Sequence, residues 1–206
     1  LTHEIMNTVT PIASLSETLS SYMVDKDADS DVLAGLETIS QSSRGLIKFV
    51  ESYRNLTRVA APVKKAFYVR EMIDRVIQLT AQQTSEAGAV CTYLEKSDDI
   101  LLYADESQIS QILINLIRNA CQAGANKVEI TAELDRSDSV FIHVTNNGRP
   151  ISKESREEIF VPFYTTKQEG TGIGLSLSRQ IMRLHNGTLT LTRSDESGTV
   201  FTLYFK

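Results

Sequence analysis

No window of this chain approaches the roughly eighteen consecutive apolar residues of a membrane-crossing helix. None of these residues reads as a secretory leader. Basic residues are outnumbered, 21 Lys and Arg against 26 Asp and Glu, and they do not cluster, which argues against a nucleic-acid surface. Cysteine is nearly missing. Cys91 and Cys121 lack metal-ligand spacing and lie in apolar stretches, so they read as reduced thiols in a reducing, cytoplasmic setting rather than as a disulfide. The chain does not start on Met, and the residues after Leu1 already read as mid-helix, so the expectation is a piece cut from something longer. Apart from these gaps the composition is that of an ordinary globular chain. Its 206 residues suffice for one medium domain or two small ones.

Two patterns divide that length. Residues 1–24 carry Ile5, Ile12, Leu15, Leu19 and Tyr22 at near-heptad spacing, with Val9 and Met23 flanking. This predicts an amphipathic helix, which Pro11 should kink. Asp25–Ser30 reads as a polar turn, and Ser30 or Asp31 suits a helix N-cap. A second helix follows to about Val59, with a seam of Val32, Leu36, Ile39, Leu46, Phe49, Val50, Tyr53 and Leu56. Two long helices joined so briefly make an antiparallel hairpin, and two helices alone cannot cover both seams. A homodimer closing a four-helix bundle would cover them. Ala60–Lys65 contains Pro62 and precedes a change of pattern, so the expected domains are 1–61 and 62–206.

The second domain mixes strands and helices without regular alternation, which predicts an α+β layer of one mixed sheet with helices on one face. Strands are expected at Phe67–Val69, Val90–Leu94, Ile100–Tyr103, Val128–Leu134, Val140–Thr145, Thr188–Thr192 and Thr199–Phe205. Helices are expected at Arg70–Gly88, at Glu106–Ala123 behind an Asp105 cap, and from about Gly174 to His185. Residues 146–172 read as irregular.

Five stretches look chemical. His3, Glu4 and Asn7 stand together near the start: a histidine is a nucleophile near neutral pH, and a neighbouring carboxylate can take its proton. A lone His there is more often an exposed residue without a role. Asn115 and Asn119 are one turn apart with Arg118 nearby, and amide oxygens suit Mg²⁺; the plain alternative is a solvated face. Asn146, Asn147 and Gly148 follow a strand directly. An amide there can meet an adenine edge and Gly148 permits close backbone approach, although an Asn-Gly turn explains the pattern equally well. Phe160, Pro162 and Phe163 form a packing device, and Thr165, Thr166 and Lys167 offer hydroxyls and a cation to phosphate. Gly170, Gly172 and Gly174, followed by Leu175, open the last helix and expose backbone N–H groups to an anion.

In that order and spacing, these stretches resemble, nearly end to end, the catalytic core of a sensor histidine kinase. Asn115–Ala120 is similar to its N box, Asn146–Gly148 to its first Gly box, Phe160–Phe163 to its F box and Gly170–Gly174 to its second Gly box. Thr199 is similar to the threonine beneath the adenine pocket. The resemblance implies a Bergerat-type ATP-binding domain after a dimerisation and phosphotransfer hairpin. It implies ATP and Mg²⁺ as cofactors, with Asn119 as metal ligand. It also implies His3 as phosphoryl acceptor, Glu4 as its base and Asn7 as a residue for dephosphorylating the regulator. The implied partners are a second copy of the chain and the receiver domain of a response regulator. The absent part would carry a sensor or an anchor in the inner membrane.

Three positions depart from the family pattern. Asn146 stands where Asp is usual, and a neutral amide lacks the charge assistance that roughly doubles such a hydrogen bond, so ATP binding is expected to be weaker or supported elsewhere. Pro150 replaces a glycine and should stiffen the entry to the lid at residues 164–172. Pro11 comes about one helical turn later than the family's proline. Two other readings stay open: an inactive ATP-sensing scaffold of the same fold, and another Bergerat ATPase.

Overall fold

A computed structural model describes residues 2–24, 30–57, 59–167 and 170–206; for residues 2–4, 24, 30, 31, 48, 52, 55 and 56 it describes the backbone alone. The chain forms two compact units, Leu1–Arg58 and Val59–Lys206.

The first unit is a pair of helices, α1 (Thr2–Val24) and α2 (Ser30–Thr57). Helix α1 runs through Pro11. The expected turn at Asp25–Asp29 lies outside the described residues, and Ser30 is the first residue of α2. The interior of the pair is narrow and partly polar: Val9, Ala13 and Ser16 of α1, and Ser40, Ser43 and Val50 of α2. The Ser16 hydroxyl donates to the Leu36 carbonyl at 2.5 Å. Glu17 accepts from Arg44 at 2.8 Å and from Ser40 at 3.3 Å. The small residues let the helices approach closely. The larger apolar residues of the expected seams, among them Ile12, Leu15, Leu19, Ile39 and Leu46, stay exposed beside this interior.

The second unit holds β1 (Lys65–Tyr68), α3 (Val69–Glu86), β2 (Val90–Glu95), β3 (Leu101–Ala104), α4 (Glu106–Gln122), β4 (Lys127–Leu134), β5 (Val140–Asn146), α5 (Gly174–Leu184), β6 (Thr188–Asp195) and β7 (Gly198–Phe205). The single sheet expected from the sequence is two sheets. A five-stranded sheet runs β2-β4-β5-β7-β6, and β1 pairs only with β3 in a separate antiparallel ribbon. Alternation along a strand shows which residues face inward but not which strand lies alongside, so the split is a matter of long-range pairing. Within the larger sheet β2 and β4 are parallel and the other pairs antiparallel. The parallel pair needs a long crossover, and α4 lies in it.

The core lies between the sheet and the three helices. Met72, Ile73 and Val76 come from α3, Ile109, Ile112, Leu113, Leu116 and Ile117 from α4, and Ile181 and Met182 from α5. They meet Ile130, Ile142 and Leu203 of the sheet. Helix α4 starts as its sequence predicts: the Asp105 carboxylate accepts from the N–H groups of Ser107 and Gln108. Its end follows the rule for a left-handed C-terminal glycine, with Gly124 at φ +77.

Candidate functional site

Period-two alternation delivers the first half of the site. On β5, Val140, Ile142, Val144 and Asn146 are all buried, so Asn146 is the polar end of an apolar, core-facing row. On β7 the row reads Phe205, Leu203, Phe201 and Thr199. The antiparallel register sets Asn146 directly opposite Thr199. These two polar side chains both line a cavity of about 620 Å³. Behind them the Thr199 hydroxyl meets Ser194 Oγ at 2.8 Å, and Ser194 Oγ accepts from the Ile151 N–H at 2.8 Å.

Helical periodicity delivers the second half. Asn115, Arg118, Asn119 and Gln122 recur on one face of α4 and line the same cavity. Asn115 is buried, and its amide is engaged within the protein. Its oxygen accepts from Arg118 at 3.0 Å and its nitrogen donates to Ser178 Oγ at 3.2 Å. Ser178 in turn donates to the Gly174 carbonyl at 2.8 Å. The first turn of α5 is thereby tied to α4. A Cβ on Gly174 would strike the Asn115 amide, so glycine is required for this approach. Helix α5 has no side-chain cap, and its N-terminal residues Gly174 and Leu175 line the cavity. Uncapped N–H groups and the positive end of the helix dipole favour an anion there.

The cations complete this end. Lys167 Nζ donates to Asn119 Oδ1 at 3.1 Å and to Gln122 Oε1 at 2.6 Å. Burial, and then the nearby Arg118 guanidinium, hold the Lys167 ammonium below its usual pKa. Two amide oxygens already converge on one positive charge, so this donor set fits a hard divalent cation whose remaining ligands come from phosphate and water. Among the described residues there is no cluster of His, Cys, Asp and Glu that would hold a metal unaided.

The loop before α5 is drawn tight at its base. Phe163 takes a left-handed φ of 68 and its N–H donates to the Gly172 carbonyl at 3.0 Å. Gly172 is itself left-handed at φ +67, and a Cβ there would run into the Phe163 backbone. Tyr164 donates to the buried Ser155 at 2.7 Å. Residues 168 and 169 of the expected lid lie outside the described residues.

Of the residues singled out from sequence, Asn115, Arg118, Asn119, Asn146, Thr166, Lys167, Gly170, Gly172, Gly174, Leu175 and Thr199 surround this cavity. Gly148, Phe160 and Phe163 do not line it. Gly148 packs against the α4 C-terminus: a Cβ there would meet Ala123 Cβ at 2.9 Å. Phe160 meets Phe201 edge-on at 6.4 Å, with the Arg179 guanidinium 4.9 Å above its ring. The side chains of His3 and Glu4 lie outside the described residues. Asn7 is exposed on α1. Gln122 and Ser194 were missed. Gln122 was findable, because it lies one turn beyond Asn119 on the same helix face.

Residues 104–206 match the family model described as histidine kinase-, DNA gyrase B- and HSP90-like ATPase. Over 207 residues the chain is 28% identical to the sensor histidine kinase ZraS of Salmonella typhi, covering 98% of this chain and 43% of that protein. The chain thus spans less than half the length of that curated relative. The solved catalytic domain of histidine kinase ThkA is 35% identical, with a TM-score of 0.62, over 69% of this chain and 94% of that one. Histidine kinase ThkA solved in complex with response regulator protein TrrA is 26% identical, with a TM-score of 0.69, over 99% of this chain and 60% of that one.

Proposed function

Since the chain belongs to the histidine kinase-, DNA gyrase B- and HSP90-like ATPase family and has the ATPase core of a sensor histidine kinase on a Bergerat-type fold, we propose that it catalyses ATP-dependent phosphorylation of its own His3 and relays the phosphoryl group to a response-regulator aspartate. What supports this most is the division of one cavity into two chemistries. Asn146 and Thr199 offer a purine edge its partners, and Asn119, Arg118, Lys167 and the α5 N-terminus offer phosphate its counter-charges.

Phosphoryl transfer needs positioning and charge neutralisation more than covalent chemistry from the protein. The α5 N–H groups and the Lys167 ammonium hold the phosphate oxygens. Asn119 is the residue that would hold Mg²⁺, with Gln122 beside it, and that ion supplies further neutralisation of the phosphates. One ring nitrogen of His3 attacks the γ-phosphorus; an N–P bond forms, the bond to the ADP oxygen breaks, and Glu4 takes the proton from the other ring nitrogen. Asn7, one turn further along α1, orients a water for the reverse task of dephosphorylating the regulator. The exposed apolar stripe of the hairpin supports a homodimer closing a four-helix bundle. Among the described residues no helix is long and apolar enough to cross a membrane. The sensor, and an inner-membrane anchor where there is one, belong to the part of the protein outside this core, which lies on the cytoplasmic side.

The test is incubation with γ-labelled ATP. Acid-labile label that disappears in His3→Gln is the expected result. Acid-stable label, or label that survives the substitution, overturns the proposal. One observation favours a second reading, an ATP-binding scaffold without transfer: the base-facing Asn146 is neutral. That reading predicts ATP binding by calorimetry with no label incorporated at all.

A further inference from the structure

We propose that Asn146 lets the base end of the cavity accept 6-oxopurine nucleoside triphosphates as well as ATP. This rests on the nucleotide-binding reading above and extends it to base selection. Asn146 is 6% exposed and lines the cavity. Its amide is not among the sealed-off unpartnered groups of the described residues, so it faces the cavity, where a bound base can take both of its hydrogen bonds.

An amide carries a donor and an acceptor side by side, and a flip about its last torsion exchanges them. In one orientation Asn146 Oδ1 accepts from the 6-amino group of adenine and Nδ2 donates to ring N1. In the other, Nδ2 donates to a 6-oxo oxygen and Oδ1 accepts from the N1–H of hypoxanthine or guanine. Both pairings use two hydrogen bonds. A carboxylate in that place has acceptors only, and it would face a 6-oxo oxygen with like polarity.

The surroundings do not lock the amide. Ser194 Oγ accepts from the Ile151 N–H and meets Thr199 Oγ1 at 2.8 Å, and either hydroxyl of that pair can be the donor. The Thr199 hydroxyl can therefore present either its proton or a lone pair to the base. Ile151 and Phe201, which also line the cavity here, are apolar and favour neither edge.

Calorimetric titration of the whole chain with ATP and with ITP, both with Mg²⁺, tests this. ITP carries the 6-oxo edge without the extra 2-amino group of guanine. Wild type should bind ITP within about tenfold of ATP, and Asn146→Asp should raise the ratio of ATP to ITP affinity by about tenfold or more. A wild-type preference for ATP beyond about tenfold, or a preference that Asn146→Asp leaves unchanged, overturns the proposal. Should the variant bind neither nucleotide, the wild-type ratio alone decides. If wild type fails to bind ATP, the nucleotide-site reading itself falls, an outcome distinct from selective loss of ITP.

Discussion

Gly174 shows how a missing side chain can shape a site. Its missing side chain lets the first turn of α5 lie against the Asn115 amide. Gly174→Ala should move that turn or displace Asn115. We expect ATP affinity to fall by roughly tenfold to a hundredfold, read by calorimetry, with far-UV circular dichroism unchanged. Unaltered affinity would mean that the α5 N-terminus has no part in binding. A second residue-scale effect concerns thiol chemistry. Burial first, and then the neighbouring Cys121, push the Cys91 thiol up to about 11. A thiol raised in this way stays protonated below that pH, and the thiolate is the reactive form. Alkylation of Cys91 in the native chain should therefore be negligible at pH 8 and rise only as pH approaches 11, followed by mass spectrometry of the peptide. Rapid modification at pH 8 would contradict the burial of the Cys91 thiol beside Cys121.

At the scale of the element, α4 repays attention because it supplies both core and site. Its N-cap has a second duty: Asp105 also accepts from the Val63 N–H at 2.8 Å, and Gln108 donates to the Ala60 carbonyl at 2.9 Å. The first residues of the second unit are thus fastened to the helix that bears Asn115 and Asn119. His185, at the end of α5, accepts the Asp105 N–H through Nε2 at 3.0 Å, while its Nδ1 donates to the Ile181 carbonyl at 2.8 Å. Desolvation alone would raise the Asp105 carboxyl, but hydrogen bonds from Ser107, Val63 and Gln108 hold it below the usual aspartate range. A depressed carboxylate stabilises the fold above its unfolded pKa, and that contribution disappears as pH falls through the lower, folded value. Asp105→Ala should cost about 0.5–2 kcal/mol near neutral pH, measured by urea denaturation. The difference from wild type should vanish in acid, below the ordinary aspartate range. A gap that persisted there would assign the effect to something other than the carboxylate.

Strand β6 carries the complementary lesson. Leu189 and Leu191 set an inward phase that would take Arg193 inward next. A bulge between Leu191 and Arg193 shifts the register, so Arg193 is exposed and Ser194 is buried opposite Thr199. Ser194 therefore escaped the sequence reading, which has alternation but no means of seeing an extra residue in one strand of a pair.

For the whole molecule, each unit leaves something undone that the other scales explain. The hairpin buries little more than Val9, Ala13 and Val50 with three serines, and Leu15 remains 63% exposed. If the hairpin pairs with a second copy as proposed, Leu15→Glu should leave the helix pair intact yet weaken self-association by about tenfold or more, measured by sedimentation equilibrium. Unchanged association would count against a dimer closed through this stripe. The unit from Val59 to Lys206 has its own core, and its fold neighbour, the ThkA catalytic domain, was solved alone. A fragment of that span should bind ATP within about threefold of the whole chain and incorporate no label, since His3 is absent from it.

Period and chemistry can be read locally, and they were enough to expect two helices, then an α+β layer, with Asn115, Asn119, Asn146 and the glycines of 170–174 as its chemical points. A 3.6-residue or two-residue repeat is set by nearest neighbours along the chain, and so are the caps at Asp105 and Gly124. Partnership depends on residues distant in sequence. That β1 pairs with β3 apart from the main sheet, that Asn146 faces Thr199, and that Gln122 shares Lys167 with Asn119 are all facts of register and helix placement. So is the difference between Gly148, which packs on Ala123, and Gly174, which shapes the cavity. The two glycines look alike in sequence because what separates them is the atom that a side chain would have struck.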